Sequence, residues 1–79
     1  MRLTATIWTD LDSGNRIEVI QTTSNGTRCF AIRNNRGECL NKDGEWEYEY
    51  TPSNRDAAFY ERCRFDEFHD AANMLEQAT

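Results

Sequence analysis

Residues 45–50, Glu45-Trp46-Glu47-Tyr48-Glu49-Tyr50, alternate strictly between a carboxylate and an aromatic ring. Successive side chains of a strand point to opposite faces, so this segment predicts a strand with three rings on one side and three acids on the other. Thr51-Pro52-Ser53-Asn54 ends it, because proline cannot donate to a sheet ladder. Ser53 or Asn54 is then placed to cap a following helix.

The rest of the chain extends that reading. Residues 2–9 alternate with Leu3, Ala5 and Ile7 opposite Thr4, Thr6 and Trp8, the period of a half-buried strand. A turn cluster at 10–15 leads into a second strand from Ile17 to Thr22, apolar on both sides. Ser24-Asn25-Gly26 supplies the positive-φ residues of a tight hairpin. A third strand follows from Thr27 to Arg33, then an Asn34-Asn35-Arg36-Gly37 turn and a short strand over 38–40. Lys42-Asp43-Gly44 is the last turn before the acidic strand. Residues 54–61 predict a short helix, 62–65 a last strand or link. Asp66 caps a helix over 67–77, in which Phe68, Ala71, Ala72, Leu75 and Ala78 form one apolar stripe. The architecture expected is α+β: an antiparallel sheet of four to five strands with one or two C-terminal helices packed on one face.

Composition narrows the function. Seventy-nine residues make a single domain, 1–79, and 38 % apolar with 29 % charged residues is globular rather than disordered material. No apolar run approaches the roughly 20 residues of a membrane span, and no signal pattern opens the chain, so a cytoplasmic protein is expected. Three cysteines, Cys29, Cys39 and Cys63, fit reduced thiols better than a disulfide framework. The sequon at Asn25 is then chemically idle.

Catalytic signals are weak. Cys29, Cys39, Cys63 and His69 have the ligand types of a zinc site but no short knuckle that brings two of them together. Buried core thiols and a solvated histidine are the simpler assignment. Cys63 and His69 as nucleophile and base require a geometry that sequence does not supply. There is no phosphate loop, paired-histidine motif or nucleophile elbow. The expectation is a non-enzyme without cofactor or metal.

Charge is more informative. Residues 1–37 carry five arginines against three acids, a formal +2. Residues 38–79 carry four cations against eleven acids, a formal −7. The acidic half disfavours phosphate binding and favours a basic partner surface. Glu38, Glu45, Glu47, Glu49, Asp66, Glu67 and Asp70 are the candidate contact residues. Along the strand, the three glutamates stand about 6.6–6.8 Å apart, a pitch suited to a row of basic side chains. Exposed carboxylates add little stability, so replacing all three with glutamine is expected to spare the fold. Trp46, Tyr48 and Tyr50 then form either the core face or a stacking surface. The alternative is a nucleic-acid module contacting phosphates through Arg28, Arg33 and Arg36 around one hairpin. Trp8, Ile20 and the C-terminal aromatics exceed what two short helices can cover, so a homodimer or a partner surface is a further possibility.

The stretch Cys39-Leu40-Asn41-Lys42-Asp43-Gly44-Glu45-Trp46-Glu47-Tyr48-Glu49, with Pro52-Ser53-Asn54-Arg55-Asp56 and Arg62-Cys63-Arg64-Phe65-Asp66-Glu67-Phe68, resembles small proteins encoded by phages and prophages. In size, acidity and α+β style the chain is similar to anti-CRISPR proteins. The likeness spans roughly residues 39–75 and carries over no individual site residue. It implies a phage protein that acts in the host bacterium, binding a basic surface of a CRISPR-Cas effector complex and blocking target DNA binding.

Overall fold

The computed structural model describes residues 6–21, 28–49 and 56–78. Five strands form an antiparallel meander in chain order: β1 (Ile7–Thr9), β2 (Arg16–Gln21), β3 (Arg28–Arg33), β4 (Glu38–Leu40) and β5 (Trp46–Tyr48). Two helices follow, α1 (Ala57–Cys63) and α2 (Phe68–Ala78). This is the expected α+β fold. The expected turn at 24–26, the caps Ser53 and Asn54, Tyr50 and the start of the first strand lie outside the described residues.

The register sorts the side chains. Trp8 pairs with Ile17, Ile17 with Ile32, and Leu40 with Trp46, which sets these residues on one face. Ile17, Ile32 and Leu40 bury there with Phe65 and Ala71, and Ala72, Met74 and Leu75 of α2 pack against them. Cys39 precedes Leu40 and so points to the other face, where it buries with Phe59 and Cys63 of α1. The helices therefore divide between the two faces instead of sharing one. The cause lies between them. Phe65 forms an antiparallel rung with Phe30, with backbone hydrogen bonds of 2.7 and 2.9 Å. The chain thus passes through the sheet's own plane between α1 and α2.

Helix α1 begins later than the sequence reading places it. Asp56 is extended and its carboxylate accepts the Phe59 N–H at 2.8 Å, satisfying a donor that the first turn leaves open. Phe59 and Cys63 are four residues apart and share the buried stripe. Residues 62 and 63, expected as strand or link, thus complete the helix. Only Phe65 keeps the expected strand character.

Two consecutive turns share one construction. Asn34 and Asn41 are buried and head the segments Asn34-Asn35-Arg36-Gly37-Glu38 and Asn41-Lys42-Asp43-Gly44-Glu45. Asn34 Oδ1 accepts the N–H groups of Arg36 and Glu38 at 2.9 and 3.1 Å. Asn41 Oδ1 accepts those of Asp43 and Glu45 at 3.0 and 2.9 Å. Gly37 and Gly44 complete the turns at φ +81° and +84°, a region that costs an L side chain about 1–2 kcal/mol. The amide nitrogens reach outward, Asn34 Nδ2 to Glu38 at 3.0 Å and Asn41 Nδ2 to Glu47 at 2.7 Å.

Because each asparagine serves three hydrogen bonds from a buried position, Asn34→Ala and Asn41→Ala are each expected to destabilise by about 2 kcal/mol. The exposed Asn35→Ala is expected to stay within about 0.5 kcal/mol. Urea denaturation checks this, and equal losses at all three positions would dismiss the shared turn design.

Candidate functional site

Strand β5 carries its acids on the face shared by Cys39 and α1, because Glu47 is the register partner of Cys39. There the carboxylates meet arginine. Arg33, at the end of β3, grips Glu49 through a two-bond fork, Nε to Oε2 and Nη2 to Oε1, each 2.8 Å. Its Nη1 donates to Glu18 Oε2 at 2.6 Å. Arg64 Nη2 also donates to Glu49 Oε1, and Arg16 Nε lies 3.7 Å from Glu18. Five residues from β2, β3, the β5 exit and the α1–α2 connection thus form one ionic chain. Its centre is shielded, with side chains of Arg64 at 5 % and Glu49 at 10 % exposure. The Arg64 guanidinium lies over the Phe59 ring at 5.3 Å and donates to Cys63 O at 3.1 Å. Its Nε has no hydrogen-bond partner among the described residues.

Burial alone would raise the pKa of Glu49, but the hydrogen bonds from Arg33 and Arg64 outweigh it and hold the carboxyl below its ordinary value. Arg33 mirrors this: burial disfavours its charge, while Glu49 and Glu18 raise its pKa. Glu47 forms a second cluster, with Arg62 Nη2 at 2.9 Å and Nε at 3.2 Å, and Asn41 Nδ2 at 2.7 Å. Hydrogen bonds from Arg62, then Asn41, lower the Glu47 pKa to about 2.

The anticipated row of three outward carboxylates is therefore not assembled. Glu45 is exposed, whereas Glu47 is paired with the half-exposed Arg62 and Glu49 with the shielded Arg33 and Arg64. Neutralising all three would strip partners from Arg33, Arg62 and Arg64, so the expectation of an undisturbed fold does not hold. Glu38 is half-buried between Arg36 Nε at 3.1 Å and Asn34. Asp66, Glu67 and Asp70 are exposed around the start of α2, with no ion pair to a cation among the described residues. The basic candidates do not cluster either. Arg33 is internal, while Arg28 opens β3 and Arg36 lies in the turn beyond its other end, with about 17 Å of strand between them.

The ring face divides as well. Trp46 packs against the core, whereas Tyr48 is 68 % exposed. The exposed aromatic cluster lies across the sheet. Trp8 and Phe68 stand 4.7 Å apart between ring centroids, with Phe30 at 6.4 Å from the former and 5.9 Å from the latter. The surplus of rings around Trp8 was the only sequence sign of it.

The three cysteines are free and buried. Burial raises the pKa of each thiol, most strongly at Cys63, where neighbouring Cys39 adds to the effect. Cys63 ends α1 and is buried against Cys39, whereas His69 is exposed on α2 with Nε2 3.2 Å from Asn73. The fold does not join them. Among the described residues no group of three or more acids, cysteines and histidines is placed to hold a metal ion.

Glu49→Gln would leave two shielded arginines short of counter-charge, and a loss of about 3–5 kcal/mol is expected. Glu45→Gln is expected to stay within about 0.5 kcal/mol. Comparable urea midpoints for the two variants would contradict the ionic assignment. Acid should act on the same groups. Glu47 ionises at a lower pH when folded than when unfolded, so its contribution is complete above about pH 4.5 and is lost as pH falls toward 2. Glu49, also lowered, loses its contribution in the same direction. The urea midpoint of the wild type should fall across this window, and less steeply in Glu47→Gln; parallel profiles would refute this.

Comparisons with family models, with curated proteins and with solved structures return no match to this chain.

Proposed function

We propose that this chain is a non-enzymatic, phage-encoded inhibitor that binds a basic surface of a bacterial CRISPR-Cas effector complex and blocks target DNA binding. The observation that carries this reading is how charge is distributed between interior and surface. Arg33 and Arg64 are consumed by Glu18 and Glu49 inside the fold. Asp66, Glu67 and Asp70 are left to solvent on one short segment, and Glu45 adds an exposed acid just before β5. Such a surface steers toward a cationic channel and competes with a phosphate backbone for the same side chains. The resemblance to anti-CRISPR proteins supplies the class of partner. Among the described residues no helix is long and apolar enough to cross a membrane.

Co-purification with multi-subunit effectors, followed by a target-DNA binding assay, tests the reading. The expected result is a stable complex whose affinity for DNA drops as this protein is added. Combined Asp66→Asn, Glu67→Gln and Asp70→Asn changes should slow association, and the deficit should shrink as salt rises. An effector that keeps its full DNA affinity at saturating protein would overturn the proposal.

A further inference from the structure

We infer that the Trp8–Phe30–Phe68 cluster, which the exposed acids Asp66 and Glu67 adjoin in the chain, is the anchor of the interaction and receives an arginine side chain of the partner protein. The inference rests on the reading above, that the partner is basic, and adds where and through which side chain it docks.

Three elements converge on this surface. Trp8 comes from edge strand β1, Phe30 from β3, and Phe68 opens α2. The rings contact one another in tilted and edge-on arrangements, which are favourable for aromatic pairs. Yet Trp8 and Phe68 each remain 38 % exposed. Their position is set by backbone. The Trp8–Ile17 register fixes one ring, and the Phe30–Phe65 rung stands three residues before Phe68. The surface is thus formed before binding, and such rigid rings lose little entropy when covered.

Charge selects the occupant. Asp66 and Glu67 immediately precede Phe68 and are exposed, whereas Asp70, two positions on, lies on the far side of the helix. A second copy would bring the same acids against each other in a chain of net charge −5, which disfavours self-association through this face. Nucleic acid would present phosphates to carboxylates. A guanidinium suits both features, since its plane stacks on aromatic faces while its edge donates to carboxylates. An ammonium group forms the ionic contact but lacks the planar stack.

NMR titration of the full-length, nitrogen-15-labelled protein with the acetylated peptide Gly-Arg-Gly-Arg-Gly-Arg-Gly tests this, beside a lysine twin. Saturable shifts are expected at the Trp8 indole N–H and the amides of residues 30 and 66–70. The arginine peptide should bind about threefold more tightly than the lysine peptide. Trp8→Leu with Phe68→Leu keeps apolar bulk and should weaken binding about tenfold. A dispersed amide spectrum confirms that the variant is folded, and the wild-type shift map stands without it. Absent or scattered shifts, equal affinity for the two peptides, or unchanged binding by the ring variant would each overturn the anchor. An effector captured with undiminished affinity by the ring variant removes the anchor and leaves the proposed function standing. A positive peptide titration without any effector capture does the reverse.

Discussion

The carboxylate of Glu49, held between Arg33 and Arg64, is the interaction on which the rest of the structure leans. It joins the exit of β5 to the end of β3 and to the link between the helices. Removing these groups from water is costly, and an apolar cluster of the same volume would often be as stable. What the ionic chain adds is discrimination. A slip of β5 by one residue would turn Trp46 and Tyr48 toward the arginines and bring the carboxylates against Leu40. Both outcomes leave shielded charge uncompensated, so only one register satisfies the sheet. In a molecule whose described buried core is a few aliphatics, two phenylalanines, alanine and thiols, that selectivity matters more than a small gain in stability.

The strand alternation made the sidedness of β5 legible, but not what lies over each side. Period two states that Glu47 and Glu49 share a face; it does not say that Arg62 and Arg64 will return to that face, each 15 residues later along the chain. Their own spacing, i and i+2 around Cys63, reads as a strand or link, whereas Arg62 lies in the last helical turn and Arg64 just beyond it. The placement of the helices was hidden for a related reason. Cys39 and Leu40 are adjacent apolar residues in a three-residue strand, and this strand is buried on both faces. Such a short run does not announce two cores. The paired turns are different: Asn-x-x-Gly-Glu recurs after seven residues in plain view, yet a strand-by-strand reading treats each turn alone. The repeat gains meaning only once both asparagines are seen to be buried.

Internal pairing also redistributes the chain's electrostatics. By sequence the acidic half is residues 38–79, with β5 as its densest segment. In the fold Arg62 and Arg64 return from the helical region to neutralise Glu47 and Glu49, while Arg33 crosses over from the first half. The outward field then shifts from the strand to the start of α2, where Asp66, Glu67 and Asp70 have no such partner among the described residues. Counting charge by segment nominates the strand and the start of α2 alike, because the count cannot see which charges the fold spends on itself.

Residues 64 and 65 connect these features. Their backbone is extended at Arg64 and paired at Phe65, so their side chains point to opposite sides of the sheet. Arg64 enters the ionic chain with Glu49, and Phe65 enters the core beneath α2. Three residues later Phe68 joins Trp8 and Phe30 on that same side. The ionic chain and the exposed aromatic surface are therefore mechanically consecutive. A change that releases Arg64 loosens the rung that positions Phe65, and with it the start of α2. A loss of partner binding caused by altering the shielded acids would thus arise through displacement of the aromatic surface rather than through a lost contact, and it would persist at high salt, where a steering effect fades.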